Sequence, residues 1–115
     1  MAKTTKQDFR EFQKEFMKYV ELFGLKGYSV FFGREEIHGG HAEIRVNIRD
    51  RVATVVLSTE KHEKHFQTMR DCAKHEALHL LIAKLEDLAK RRYVTPGDIS
   101  EECEGIVEIL EKSIP

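Results

Sequence analysis

Residues 41–49 alternate without a break: Ala42, Ile44, Val46 and Ile48 are apolar, while His41, Glu43, Arg45, Asn47 and Arg49 are polar. A period of two is that of a β-strand with one face buried; wound as a helix, the same residues would spread over every side. Neighbouring segments follow suit. Tyr28, Val30 and Phe32 alternate with Ser29, Phe31 and Gly33, and residues 52–57, rich in valine, predict a better-buried strand. Gly39-Gly40 and Asp50-Arg51 are turn signals between them. The pattern predicts a three-stranded antiparallel meander with one face on the core and the other open.

The flanking segments have helical period. Phe9, Phe12, Phe16, Tyr19, Val20 and Phe23 form one apolar stripe over residues 7–23, with Thr4, Thr5 and Asp8 as candidate N-caps and Gly24 as a stop. Helical character returns after Ser58-Thr59 and is expected to run to about Arg92, with residues 62–65 either loop or first turn. Residues 77–85 are apolar nearly all round, as in a central buried helix. A connector at 93–97 precedes a last helix, capped either by Thr95 with Pro96 behind it or by Asp98 with Glu101. Its apolar set is Ile99, Cys103, Ile106, Val107, Leu110 and Ile114. The order helix, three strands, helix, helix predicts a single α+β domain of 115 residues.

Charge and cysteine content exclude several function classes. Nineteen basic against twenty acidic residues leave a net charge of −1, so no overall positive field draws nucleic acid or anionic membrane to the chain. Arg45, Arg49 and Arg51, with Arg91-Arg92, are the clustered arginines, and a charged open sheet face accounts for the first three. Cys72 and Cys103 are too few for a disulfide framework. The first twelve residues have no apolar h-region, and no apolar run approaches a membrane span. A soluble cytoplasmic domain is expected.

Residues 75–79 read His-Glu-Ala-Leu-His and fit H-E-x-x-H. Residues four apart on a helix lie one above the other, so His75 and His79 can hold one metal ion, and Glu76 beside them can take a proton from water that Zn²⁺ has acidified. The context sharpens the match. Leu78, Leu80, Leu81 and Ile82 surround His79, and no lysine or arginine stands where it could pair with Glu76 on the helix. A catalytic zinc needs a third protein ligand and an open position. No histidine follows His79, so the choice is a carboxylate, Cys103 or an upstream histidine. The last helix offers Glu101, Glu102, Glu104, Glu108 and Glu111. At about 1.5 Å rise per residue, a tight reversal after Arg92 would bring Glu108 or Glu111 level with His79, whereas an extended climb through 92–98 would bring Glu104 level. The metzincin extension is excluded, because Ile82 and Leu85 stand where its glycine and third histidine belong.

HEALH followed by Glu104-Gly-Ile-Val-Glu108 resembles the gluzincins, the thermolysin-like zinc metallopeptidases, and the element order is similar to the minimal zincin domains of small phage and prophage proteins. The resemblance implies Zn²⁺ on His75, His79 and Glu104, with Glu76 as general base and Glu108 fixing the tautomer of a ligand imidazole. It also implies hydrolysis of a peptide bond in a peptide or protein substrate that pairs with a sheet edge beside the metal. At this size the cleft is expected to be shallow, with a narrow substrate or a partner protein completing it. A zinc-stabilised interaction or regulatory module, closed by a fourth protein ligand, is the alternative.

Other residues carry weaker signals. His62 and His65 could approach the metal from the start of the central helix, although solvated histidines fit their spacing better; His38 and His41 flank a hairpin tip. Cys72 reads as a small buried hydrophobe, with ligation as a minor role. Tyr28, Tyr93 and His65 are candidate donors to a developing oxyanion.

Overall fold

The computed structural model describes residues 3–61, 68–91 and 93–114. Helix α1 (Lys6–Leu22) begins at Thr5, whose hydroxyl accepts the Asp8 N–H at 3.0 Å while the Asp8 carboxylate accepts the Thr5 N–H at 2.9 Å. Two of the orphan donors at the helix start are thereby satisfied. Gly24, at φ +69°, takes the left-handed conformation that lets the chain leave the helix. Phe12, Phe16, Val20 and Phe23 are buried.

Strands β1 (Ser29–Glu35), β2 (Ala42–Asn47) and β3 (Val52–Ser58) form one sheet in the order β1-β3-β2. β3 pairs antiparallel with β2, as a hairpin should, but parallel with β1. The expected antiparallel meander is therefore corrected to a mixed sheet with the last strand in the centre. Alternation decides which face a residue lies on and says nothing of which strand is its neighbour. Burial decides the neighbour. β3 is apolar on both faces, with Ala53, Val55 and Leu57 buried on one side and Val56 on the other, so it takes the position flanked on both edges. Glu35 lies opposite Ser58 and Ala42 opposite Leu57, so residues 36–41 cross the end of β3. That is two strand spacings, about 10 Å, within easy reach of six residues.

Helix α2 (Met69–Lys90) is capped by Thr68, whose hydroxyl accepts the Asp71 N–H. It packs with α1 on one face of the sheet, where Phe12 and Phe16 meet Phe32 edge-on at centroid separations of 6.4 and 5.6 Å. Phe31, one residue out of phase, is 58% exposed on the open face. Arg45 lies on that open face too, between Glu35 and Glu43, as the charged-face reading expects.

Helix α3 (Pro96–Ser113) starts at Thr95, which forms a capping box with Asp98, so Asp98 is the partner of the cap and not the cap itself. None of its residues is buried. Ile106, Ile109 and Leu110 rest against the core, whereas Cys103, Val107 and Ile114, expected to face inward, are exposed. A helix laid on the flank of two others covers itself along a narrow stripe only, and Ile109 replaces the outer members of the expected set. Among the described residues no helix is long and apolar enough to cross a membrane.

Candidate metal centre

On α2, Glu76 shares a stripe with Cys72, Ala73, Leu80 and Ala83, its neighbours at i−4, i−3, i+4 and i+7, and all five are buried. The helix thus carries a carboxylate into the zone that its alanines and leucines occupy. Glu76 is 6% exposed. Burial pushes its proton affinity up and the Glu43 carboxylate adds to this, while the His75 and His79 rings pull it the other way. The same environment pushes the Cys72 thiol up to about 11, first by burial and then by the Glu76 and Asp71 charges. Cys72 is therefore a protonated thiol in the core, in accord with its reading as a small hydrophobe.

His75 and His79 flank this stripe and are both exposed. Their Nε2 atoms are 3.2 Å apart and their rings are steeply inclined, at 78°. Two imidazole nitrogens bound tetrahedrally to one zinc at 2.0–2.1 Å lie about 3.3–3.4 Å from each other. The separation is close to that of two ligands on one zinc ion. Without the ion, one ring can donate to the other, the direction following the tautomer.

The histidines and Glu76 line a cleft of about 460 Å³ between α2 and β2. Among the described residues β2 pairs with β3 alone and so is an edge strand, and its outer backbone groups border this cleft. Glu43 and Ile44 lie on the strand side; Ala83, Glu86 and Lys90 continue the helix side. Glu43 and Glu86 were not apparent as site residues in the sequence. For Glu86 the available signal was its i+7 spacing from His79; for Glu43 there was none, since alternation groups it with Arg45 on the open face.

The carboxylates of α3 are elsewhere. Glu101, Glu104, Glu108 and Glu111 are exposed, and no residue of α3 lines the cleft. Glu104 is 200° around the helix from Ile106, which faces the core, and so points to solvent. Glu102 is half-buried and lies 3.8 Å from Lys84, which is 140° around α2 from His79. Its charge acts on Tyr28, at the β1 side of the sheet, whereas the cleft follows β2 on the opposite edge. The structure does not bring Glu104 or Glu108 to the histidine pair. Among the described residues, no three His, Cys, Asp or Glu side chains are placed to share one metal ion.

Gly105 has open space where a Cβ would stand, so it serves no close helix approach. Tyr28 and Tyr93 do not line the cleft, and Tyr93 is 87% exposed. His62 and His65 lie outside the described residues, as does Arg92. His38 and His41 flank the Gly39 turn, at φ +83°, and are not among the cleft residues. No family model, curated protein or solved structure matches the chain.

Proposed function

We propose that the chain is a zinc-dependent peptidase of the zincin type, with His75 and His79 as metal ligands and Glu76 as general base. The observation that carries this reading is the pair of Nε2 atoms 3.2 Å apart at the mouth of a cleft whose floor holds a buried glutamate. Zinc, when bound, supplies Lewis acidity and lowers the pKa of water to about 7. Glu76 does the proton transfer. Burial raises the proton affinity of its carboxyl above the ordinary carboxylate value, the direction a general base needs to take a proton and return it to a leaving amine. The free edge of β2 offers backbone donors and acceptors to an extended substrate, and this orients a peptide bond along the cleft.

Exposure of both imidazoles favours an open coordination position over the alternative, a closed structural site. Zinc titration of the purified chain, followed by peptide hydrolysis assays on wild type and Glu76→Gln, tests the proposal. The variant should keep its zinc and lose hydrolysis by about 10²- to 10⁴-fold, the usual worth of a positioned general base. Unchanged hydrolysis would remove the mechanism. Zinc affinity measured for Ala variants of Glu43, Glu101, Glu102, Glu104, Glu108 and Glu111 assigns any third protein ligand.

A further inference from the structure

Backbone direction along β2 follows from one bond at its start. The Ser58 N–H donates to the His41 carbonyl at 2.8 Å, one step beyond the pair of Ala42 with Leu57. Alternate residues of an antiparallel pair exchange backbone bonds, so Glu43, Arg45 and Asn47 turn their N–H and C=O groups to β3, as His41 does. Ala42, Ile44 and Val46 turn theirs outward, where no further strand lies among the described residues. The ladder keeps one register from Ala42 to Asn47, with no proline or bulge to blunt this edge. The charges it carries are one glutamate and one arginine, two residues apart on one face.

That spacing makes the strand complementary to itself. Two antiparallel copies of β2, related by a two-fold axis through Ile44, set Ile44 opposite the partner's Ile44 and Ala42 opposite the partner's Val46. These are the residues whose backbone groups face outward, and each such pair can exchange two bonds. Glu43 then stands opposite the partner's Arg45, and Arg45 opposite the partner's Glu43. An axis through Glu43 or Arg45 would instead set like charges against each other, which is unfavourable. The Arg45 side chain is 65% exposed and reaches Glu43 at 2.5 Å and Glu35 at 3.5 Å. A guanidinium has five N–H donors, enough to serve a further carboxylate. On the other face Ala42, Ile44 and Val46 are half-buried in the cleft wall, and the same residues of the second copy would cover them. β1, the opposite edge, offers no such match. Its Arg34 and Glu35 are adjacent and so lie on opposite faces, Gly33 interrupts it, and Arg34 is tied to Thr4.

We infer that the chain forms a two-fold dimer in which β2 pairs with β2 of a second copy, the Glu43 and Arg45 side chains fixing the register and one continuous sheet running through both copies. The dimer requires neither metal nor hydrolysis. The edge it uses is also the one that the proposed peptidase offers to an extended substrate. On that reading the dimer is the closed form of the cleft and the monomer the open one.

Sedimentation equilibrium of the metal-free chain, from micromolar to millimolar concentration, should show monomer and dimer in exchange. Arg45→Glu and Glu43→Arg should each weaken the dimer by about tenfold or more, because each sets like charges opposite one another at both ends of the pairing. An equimolar mixture of the two variants should associate again, since every facing pair is then of opposite charge. Circular dichroism should show both variants folded. Amide exchange on the wild type needs no variant. The Ala42, Ile44 and Val46 amides should be protected at high concentration and exchange freely on dilution, while those of Glu43 and Arg45 stay protected throughout. A chain that remains monomeric at millimolar concentration overturns the inference. So does association unmoved by either charge reversal or not restored by mixing, and so do outward amides indifferent to concentration. Complexes larger than a dimer overturn it as well, because they would join unlike edges. Association by a chain that takes up no zinc removes the peptidase and keeps the dimer; hydrolysis by a chain that never associates does the reverse.

Discussion

Helices α2 and α3 are similar in length, each is capped by a threonine, and each carries a glutamate to which the sequence reading assigns a role at a metal site; their surroundings differ completely. α2 buries eight of its residues, Glu76 among them, and α3 buries none. Glu76 lies in the core stripe and its protonation is shifted by desolvation, while Glu104 stands in solvent on the outer side of its helix. A carboxylate becomes a reagent when the fold removes water from it, and residue type alone does not achieve this. The cleft lies on the side of the molecule where α2 meets β2, and α3 packs on α2 away from it.

The largest expected contrast is in stability. Phe16→Ala, in the packed layer beneath α2, should cost about 3–5 kcal/mol in urea unfolding, whereas Val107→Ala on the exposed side of α3 should stay within about 0.5 kcal/mol. Equal losses would mean that α3 is as integral as α1 and α2. Next comes metal affinity. His79→Ala should weaken zinc binding by about a hundredfold or more, beyond what loss of an outer partner costs, and Glu104→Ala should change it less than twofold. A tenfold loss for Glu104→Ala, read by competition with a chelator, would show α3 turning its outer face to the ion.

Smaller effects sharpen the same comparison. In metal-free protein at pH 8, Glu76→Gln should raise stability by on the order of 1 kcal/mol, since a neutral amide replaces a buried carboxylate, while Glu104→Gln should be neutral. Thr95→Ala should loosen α3 by about 1 kcal/mol through loss of its cap. Acid should act at the same place. The Thr95 backbone N–H, and then its hydroxyl, hold the Asp98 carboxyl below its ordinary 3.8. The folded state therefore binds this proton less readily than the unfolded one, and the cap's contribution, complete above pH 3.8, is lost as pH falls through the lowered value. Amide exchange in the first turn of α3 should quicken over that interval; an unchanged rate would mean that the box contributes nothing.

Much of this was legible in residues. The phenylalanine stripe gave α1, the unbroken alternation gave β2, and Thr95-Pro96 gave the start of α3, because period and cap chemistry are local. The i,i+4 geometry of His75 and His79 follows from one turn of helix, and the burial of Glu76 from its four small or apolar neighbours. Strand order was not legible, since the pairing of β1 with β3 rather than β2 turns on which strand can be covered on both faces. Nor was the orientation of α3: its apolar residues span a wide arc, and contact with α2 selected Ile106, Ile109 and Leu110 from it.

The sequence by itself determined the secondary elements, their caps and the spacing of the histidine pair, all of which depend on residues within one or two turns of each other. Only the tertiary structure decided that the cleft runs along β2, that Glu43 and Glu86 line it, and that Glu104 does not. Those outcomes depend on which surfaces lose water together, and that competition is settled across the whole chain at once.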